Sequence, residues 1–429
     1  MVLAIMLGGL FGLIFLGVPL GFTICFVSAG VLMFLADMPL WMFLQRFFAG
    51  LDSFVLVAIP FFLLTGNIMN QGNITERLIK FAYAIVGHIK GGLSLVMVIA
   101  CMLFGGVSGS AVADVAGVGS VMIPSMIKRG YSAQFAVALT STASTLGQII
   151  PPSIIMIVYA STAGTSVGAL FLAGVVPGFL IGLGLMVVGY FYAKTNKLPS
   201  EPRQSIKEMT KATWEASLTL AAPLIIIGGV VTGVFTATES SVVAALYCAF
   251  IAMFVFKTIS WKQMPDLLLE TAKMSALTLF CIGGASMFGW LMGYFEVTKL
   301  VTDLLASLSS NIYVYMVVVI ALFTILGTFM DAVPAIIIFV PVVAPIAETL
   351  GIHPVHLGLV VCVVLAFGLV TPPYGLCLLL GSSIAKIPAH ETFKDLAVCL
   401  SVVTVIILLI SFVPDSILFL PKIFMPKFM

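Results

Sequence analysis

The chain has 429 residues, of which 61% are hydrophobic and only 8% are charged, and its formal net charge is +2. Soluble domains carry about 25% charged residues, so this composition excludes a string of soluble domains. The 64 residues between Arg129 and Lys194 contain no Asp, Glu, Lys or Arg. Because one bilayer crossing takes about 20 apolar residues, the sequence predicts an all-α polytopic membrane protein. No basic patch indicates nucleic-acid binding, and continuous apolar runs argue against a strand barrel.

Predicted spans follow from apolar runs of sufficient length. These runs lie at 3–35, 49–70, 133–163, 167–193, 217–235, 239–256, 273–293, 355–384 and 394–413. The first run starts at Met1 and has neither a basic leading region nor a cleavage site, so we expect a span there rather than a removed signal peptide.

Two further apolar runs, at 92–126 and 312–347, have polar or glycine-rich centres that read "FGGVSGSAVAD" and "LGTFMDAVP". Irregular backbone at membrane depth is tolerated only where protein buries it or where it lines a cavity. We therefore predict two re-entrant hairpins. An amphipathic stretch precedes each hairpin, at 75–90 and at 297–308, and is predicted to lie in the membrane interface.

The polar segment 194–211 is the best candidate for a cytoplasmic loop. It carries five basic residues, and basic residues are enriched in cytoplasmic loops. After two further crossings, Lys257, Lys262 and Lys273 fall on the same side of the membrane.

An internal repeat becomes visible when 221 is added to the residue number. Over 106–162, six of nine Gly or Pro positions find the same residue in the second copy, whereas only ten of 57 positions are identical overall. The matching pairs include Gly106 and Gly327, Gly130 and Gly351, Gly147 and Gly368, and Pro151-Pro152 and Pro372-Pro373. Because Gly and Pro set backbone geometry, each copy is predicted to hold one hairpin and one broken helix.

Five crossings separate the span before the first hairpin from the span before the second, provided that 217–256 forms two passes. An odd number reverses the direction of equivalent helices, and inverted repeats with broken helices are typical of secondary transporters. The predicted organisation is a scaffold at 1–70, an interfacial arm at 71–91, repeat 1 at 92–165, scaffold at 166–293, a second arm at 294–311, repeat 2 at 312–387 and a C-terminal scaffold helix at 388–429.

Each proline pair predicts an ion site, since Pro lacks an N–H and leaves carbonyls one turn earlier without helical partners. In the first copy the Gly147 carbonyl is freed, and hydroxyls of Ser108, Ser110 and Thr145 can complete an oxygen shell; Thr371 offers a hydroxyl in the second copy. Hard cations such as Na⁺ or Ca²⁺ prefer oxygen ligands. Because no series of Asp, Glu and His runs through the membrane, sodium coupling is favoured over proton coupling.

An anionic substrate has no Arg or Lys near either hairpin tip, so half-helix N-termini, hydroxyls and amides are predicted to bind it. The candidate contacts are Gln148, Ser153, Asp331 and Tyr374. Asp114 and Asp331 are the acids nearest the tips; an intramembrane acid is a functional candidate, but it can also simply cap a half-helix. The small residues can equally serve close helix packing.

Two other classes of protein compete with a transporter. The "GVSG" stretch at 106–109 is similar to that of rhomboid intramembrane serine proteases, but this chemistry needs a His beside the Ser, and all four histidines fall at predicted span edges. A pure channel is less favoured than alternating access, because the sequence shows two separate carbonyl-lined sites without an obvious pore. We therefore expect no enzyme.

Four motifs together carry a family resemblance: "GGVSGSAVADVAGVGSVMIPSMIKRGY", "STLGQIIPPS", "GTFMDAVPAIIIFVPVVAPIA" and "GLVTPPYG". They resemble the large membrane subunit of TRAP (tripartite ATP-independent periplasmic) transporters, with several features of the sialic-acid branch. The resemblance implies sodium-driven uptake of organic acids such as sialic acid or C4-dicarboxylates across the bacterial inner membrane, by elevator motion. A periplasmic binding protein would deliver the substrate, and a separate four-helix membrane subunit would brace this chain.

The same resemblance implies which residues bind two or more Na⁺ ions. In the first copy they would be Gly106, Ser108, Ser110, Gly147 and, through its carbonyl, Ile150. In the second copy they would be Gly327, Thr328, Gly368 and Thr371.

Overall fold

The computed structural model describes residues 2–72, 74–200, 204–297, 311–373 and 375–428, and this described part is built from helices. In the first half they are α1 Val2–Phe15, α2 Leu20–Phe34, α3 Trp41–Leu51, α4 Ala58–Gln71, α5 Ile74–Val86, α6 Gly92–Ser108, α7 Ala111–Lys128, α8 Ala133–Ser144, α9 Ile154–Ala163 and α10 Val167–Thr195. In the second half they are α11 Ile206–Val231, α12 Ala237–Val255, α13 Met264–Tyr294, α14 Ile312–Phe329, α15 Ala332–Thr349, α16 Pro354–Gly368, α17 Leu376–Ala385, α18 Phe393–Phe412 and α19 Asp415–Phe424.

The predicted membrane character is confirmed by helix length and composition. Nine helices of the described part are long and apolar enough to cross a bilayer, and some of them belong to the hairpins. Their high mean hydropathy reflects the continuous apolar runs from which the spans were predicted.

The first apolar run, 3–35, was wrongly predicted as one continuous span. It contains α1 and α2, which are separated by a turn at residues 16–19. Gly17 has a φ of +82°, and this left-handed conformation, which glycine adopts easily, ends α1. Pro19 occupies the N-cap position of α2, where its missing N–H costs no helical hydrogen bond.

The predicted loop 194–211 is shorter than expected, because α11 already begins at Ile206. The cause is a capping box: the Ser205 hydroxyl accepts from the backbone N–H of Glu208, and the Glu208 carboxylate accepts from the backbone N–H of Ser205. Two orphan N–H groups are thereby satisfied, and the helix extends beyond the apolar run into polar sequence.

The segment 217–256 forms two helices, α11 and α12, as the inverted-repeat prediction requires. The Tyr247 hydroxyl donates to the Leu218 carbonyl at 2.9 Å, so the middle of α12 lies beside the middle of α11, at a similar distance from the turn that connects them. The two helices are therefore antiparallel, and the count of crossings between the hairpins stays odd.

Both predicted hairpins are present as helix–turn–helix units. Helices α6 and α7 are joined by Gly109 and Ser110, and helices α14 and α15 by Met330 and Asp331. Both broken helices are present as well: α8 and α9 are separated around Pro151-Pro152, α16 and α17 around Pro372-Pro373. The depth of these features in a bilayer stays a prediction.

The first predicted arm corresponds to α5, which packs between α6 and α11. An ion pair of 3.0 Å between Arg77 and Glu215 fastens α5 to α11, and the Arg77 guanidinium also lies 3.8 Å from the centroid of the Phe256 ring. Most of the second predicted arm, at 298–310, lies outside the described residues.

Two groups of helices make up the molecule. The flanking set consists of α1–α4 and α11–α13, which pack mainly on one another. The repeat core consists of α6–α9 and α14–α17, and α10, α18 and α19 pack on it. The division into a scaffold and a moving core stays a prediction. It assigns α10 and α18 to the scaffold, and in this structure both helices contact the repeat core.

Candidate functional site

The first hairpin tip and the first helix break lie against each other, as the sequence predicted. A Cβ atom at Gly109 would stand 3.0 Å from the carbonyl oxygen of Pro152, and one at Gly106 would stand 3.5 Å from that of Pro151. The absence of side chains at the tip therefore lets the hairpin approach the backbone of the proline pair. Both prolyl bonds of the repeat, Pro151-Pro152 and Pro372-Pro373, are cis.

The backbone of the first break leaves the Gly147 carbonyl without its usual helical donor. Residues 145–148 form a 3₁₀ turn after α8. The N–H groups of Ile149 and Ile150 both donate to the carbonyl of Leu146, at 3.0 and 2.7 Å. The next two residues are prolines and have no N–H to offer, so the predicted release of the Gly147 carbonyl follows from the local hydrogen bonding.

Asp114, which the sequence analysis left out of the ion ligands, lies at the centre of this arrangement. It is completely buried, and its Oδ1 accepts a hydrogen bond of 2.5 Å from the Ser108 hydroxyl. Its Oδ2 has no hydrogen-bond partner among the described residues. Oδ2 lies 2.6 Å from the position that a Cβ at Gly147 would take and 3.1 Å from that of Gly105.

This placement gives the first copy a buried carboxylate beside a helix break. Ser108 and Asp114 are six residues apart, on the two sides of the turn between α6 and α7, so the turn brings them together. A π-helical turn, Val115–Gly119, follows Asp114 directly, and such turns are frequent at functional sites. The sequence could have indicated this role, because Asp114 is the only acidic residue of the first hairpin and lies in an apolar run.

The other polar groups of the first copy serve local structure. Ser110 is the N-cap of α7, and its hydroxyl accepts from the N–H of Ala113 at 3.4 Å. The Thr145 hydroxyl donates to the Thr142 carbonyl at 2.7 Å, so only its lone pairs are left for a cation. Ile150 is half-buried next to the break.

The second copy repeats the close backbone approach. A Cβ at Gly368 would stand 2.5 Å from the Cα of Gly327, so the hairpin helix α14 touches the end of α16 there. Thr328 and Thr371 donate their hydroxyls to carbonyls of their own helices, at 2.7 and 2.8 Å. In the first copy a Cβ at Gly105 would likewise stand 2.5 Å from the Cα of Gly147, so the copies share a glycine-to-glycine contact between hairpin and broken helix.

The second break nevertheless differs from the first in its hydrogen bonding. The carbonyl of Gly368 accepts from the N–H of Thr371 at 3.1 Å, so one of its lone pairs is used. Asp331 is the N-cap of α15 and accepts from the N–H of Ala332 at 2.8 Å. The carboxylate of the second copy therefore lies at the hairpin tip, whereas that of the first copy lies behind it.

The predicted substrate contacts occupy different environments. Ser153 is completely buried as the N-cap of α9, and its hydroxyl donates to the Gln148 carbonyl at 2.5 Å. Gln148 is only 8% exposed, and its Oε1 has no hydrogen-bond partner in the described part of the chain. Tyr374 lies outside the described residues. Gln148 thus keeps a free polar group at the break, whereas Ser153 stabilises the backbone.

The helices that follow the two breaks each reach into the other copy. The Tyr159 hydroxyl of α9 donates to the Pro354 carbonyl at 3.2 Å, and the Ser141 hydroxyl of α8 donates to the Cys377 carbonyl of α17 at 3.1 Å. These reciprocal contacts make the repeat core one packed unit.

The surroundings of Ser108 do not fit the protease alternative. Its hydroxyl donates to Asp114, and no histidine is among its hydrogen-bond partners in the described ranges. The His356 ring bonds the Ile410 carbonyl at 3.0 Å, and His353 accepts from the N–H of Val355. A serine protease needs a His base at its nucleophile, so this site does not fit that chemistry.

Fold and site together define a helical membrane transporter with two hairpin-and-break units. The family model described as "Tripartite ATP-independent periplasmic transporter, DctM component" matches residues 7–416. The chain therefore belongs to the family of large membrane subunits of TRAP transporters, as its motifs indicated.

Relatives of known name agree with this assignment. The chain is 36% identical over 423 residues to the sialic acid TRAP transporter large permease protein SiaM of Vibrio cholerae, covering 98% of this chain and 99% of SiaM. It is 41% identical over 377 residues to the C4-dicarboxylate TRAP transporter large permease protein DctM of Pseudomonas aeruginosa, covering 88% of each.

Among solved structures, the Alcanivorax borkumensis YdaH transporter is similar in fold. The TM-score is 0.61 at 13% sequence identity, and the match covers 86% of each chain. At this identity the likeness concerns the fold alone.

Proposed function

We propose that this protein is the large membrane subunit of a sodium-coupled importer of organic acid anions in a bacterial inner membrane, and that it is not an enzyme. The observation that carries the proposal is the buried Asp114 carboxylate, with one unpaired oxygen beside Gly147. An ionised carboxylate without a counter-charge is very costly in a low-dielectric interior. Among the described residues, no Arg, Lys or His forms a hydrogen bond or ion pair with Asp114.

A cation from solution is the natural counter-charge, and the donors at the site favour Na⁺. They are all oxygen atoms: the Asp114 carboxylate, the Ser108 hydroxyl and the Gly147 carbonyl. Hard cations bind such a set, whereas transition metals select His and Cys. In the described part of the chain no cluster of three or more His, Cys, Asp or Glu could hold a metal ion.

The other predicted ligands extend the proposal to both copies. Ser110, Thr145, Gly106 and Ile150 would complete the first site, and Gly327, Thr328, Gly368 and Thr371 would form a second one. The close contact of Gly327 with Gly368 supports the second site. Two or more Na⁺ ions would then bind per transport cycle. Asp331 and the free Gln148 amide are the proposed substrate contacts, with Ser153 and Tyr374 as further candidates.

The partners follow from the family. A tripartite transporter implies two components besides this chain, and we propose a small four-helix membrane subunit and a periplasmic binding protein. The substrate belongs to the sialic acid or C4-dicarboxylate class, since relatives named for each are similar over most of their length. Movement of the repeat core against the flanking set would carry substrate across the membrane as an elevator.

The proposal is tested by uptake into proteoliposomes that contain this chain with both partner components. Succinate and N-acetylneuraminate are offered under an inward gradient of Na⁺, and in parallel under K⁺ with an imposed pH gradient. We expect accumulation only with Na⁺. Uptake driven equally by the pH gradient without Na⁺ would contradict the ion assignment, and no uptake of any organic acid would contradict the function.

A further inference from the structure

A cavity of about 270 Å³ lies between the flanking set and the repeat core, away from both helix breaks. One wall comes from α3 and α13, and the opposite wall comes from α9 and α15. Its lining includes Gly50, Ser161, Thr162, Ser286 and Trp290. Because the two walls belong to different groups of helices, relative movement of these groups would open or close the cavity.

The cavity has hydroxyl groups on both walls. The Ser161 hydroxyl of α9 lies 3.0 Å from that of Ser53, which bridges the two groups of helices. Thr162 lies next to it and donates to the Val158 carbonyl at 2.8 Å. On the opposite wall the Ser286 side chain fills the space that a Cβ at Gly50 would need.

A cation stands beside this cavity, although the sequence gave no sign of one. The guanidinium carbon of Arg46 lies 4.8 Å from the centroid of the Trp290 ring, and Trp290 lines the cavity. No carboxylate of the described residues forms an ion pair with Arg46, in contrast to Arg77 with Glu215 and Lys422 with Asp415. Arginine presents a fork of N–H donors that matches a carboxylate and also stacks on aromatic rings.

The cavity also lies on the side of the molecule opposite to the segment 194–211. Segment 194–211 follows α10, whereas Ser161 and Thr162 lie just before the start of α10, one helix length away. With 194–211 in the cytoplasm, as predicted, the cavity faces the periplasm, where a binding protein would deliver substrate.

We propose that this cavity is the entry site at which Arg46 receives the carboxylate of a small organic acid, while Trp290 and the hydroxyls of Ser161, Thr162 and Ser286 bind the rest of the molecule. This inference rests on the proposed transport function. Ligand pockets typically measure about 300–1,000 Å³, and this cavity is slightly below that range. It therefore fits acids of about four to six carbon atoms, such as a C4-dicarboxylate, better than the larger sialic acids.

The first test compares Arg46→Gln with Arg46→Lys in sodium-driven succinate uptake by the complete transporter. Loss of a charge-assisted contact should raise KM about 10- to 100-fold with kcat nearly unchanged. Arg46→Lys keeps the charge and should recover most of this loss, and Lys262→Gln, an exposed cation far from the cavity, should leave KM unchanged. An unaltered KM in Arg46→Gln, with sodium-driven uptake intact, would overturn the proposal without touching the proposed function.

A second test does not depend on transport. Thr162→Cys is placed in a background in which the half-buried Cys25 and Cys281 are replaced by Ser, and is labelled in purified protein with an anionic methanethiosulfonate. Succinate should slow this labelling at least threefold more than N-acetylneuraminate does, and Arg46→Gln should slow labelling by the anionic reagent but not by a neutral one. Ser200→Cys, an exposed control, should be labelled at the same rate with or without succinate.

The labelling outcomes separate the parts of the proposal. Equal labelling of Thr162→Cys with and without succinate would overturn the entry site. Equal protection by succinate and by N-acetylneuraminate would overturn the preference for a small acid. If succinate protects while the complete transporter shows no sodium-driven uptake, the cavity binds acids and the proposed function is wrong.

Discussion

Oδ2 of Asp114 lies 2.6 Å from the place where a side chain at Gly147 would begin. The carboxylate thus occupies the space that glycine leaves beside the helix break, and Ser108 holds it there through its other oxygen. A buried acid and a hydroxyl therefore lie beside Gly147, whose carbonyl lacks its usual helical donor. This relationship joins the hairpin and the broken helix into one site.

Asp114→Asn should weaken the dependence of uptake on Na⁺. The amide keeps the shape of the side chain but removes the negative charge, so we expect the Na⁺ concentration for half-maximal uptake to rise about 10- to 100-fold. The measurement is succinate uptake as a function of Na⁺ in proteoliposomes. Asp266→Asn changes an exposed acid at the start of α13 and should behave like the unmodified protein; an equal shift in both variants would count against a sodium role of Asp114.

Gly147→Ala should destabilise the protein, because the new methyl group collides with a buried carboxylate. Overpacking of a tight interior typically costs about 1–3 kcal/mol, and thermal unfolding in detergent should show a lower Tm. Gly12→Ala is the matched control, since no atom lies within 4 Å of its Cβ position. Combining Gly147→Ala with Asp114→Ala should remove the collision, so additive losses in the double variant would show that these two residues do not interact.

Ser153→Ala separates a structural role from the predicted substrate contact. The hydroxyl caps α9 and satisfies the Gln148 carbonyl, so its loss should cost more than the roughly 1 kcal/mol of a simple N-cap. Ser166→Ala, which removes the N-cap of α10 alone, provides this reference. If KM for succinate rises in Ser153→Ala while the Tm matches that of Ser166→Ala, Ser153 binds substrate and is not primarily structural.

The ion pair between Arg77 and Glu215 should matter less for its charge than for the packing of Arg77. Glu215→Gln should cost at most about 1 kcal/mol, as expected for a partly exposed pair. Arg77→Met also loses the contact with the Phe256 ring, worth about 0.5–2 kcal/mol more, and should lower the Tm further. Equal losses in the two variants would assign the whole effect to the ion pair.

Much of the fold could be predicted because glycine and proline act locally. The pair Pro151-Pro152 interrupts its helix wherever it lies, and the same is true of Pro372-Pro373. The hairpin turns at Gly109 and at Asp331 follow from residues that favour turns and N-caps. The start of α11 was misplaced because the apolar run was read before the capping box at Ser205.

The candidate site could be predicted only in part. The tip glycine Gly106 and the freed carbonyl of Gly147 were found, since both depend on backbone breaks that the repeat displays. Asp114 was left out of the predicted ion ligands, and the repeat gives no signal for it, because the second copy has Ala335 at that position. The bond of Ser153 to the Gln148 carbonyl could not be predicted, because it depends on the path of the chain through the break; the assignment of Ser153 to substrate stays a prediction.

The sequence by itself determined that this is a helical membrane transporter subunit with two hairpins and two broken helices. Apolar run length, breaker residues and family motifs are local properties, and each can be read without knowing which helices touch. Only the tertiary structure decided that Asp114 fills the space beside Gly147 and that Arg46 stands over Trp290. Those pairs lie far apart along the chain or on different helices, and packing of the whole molecule, not local backbone preference, brings them together.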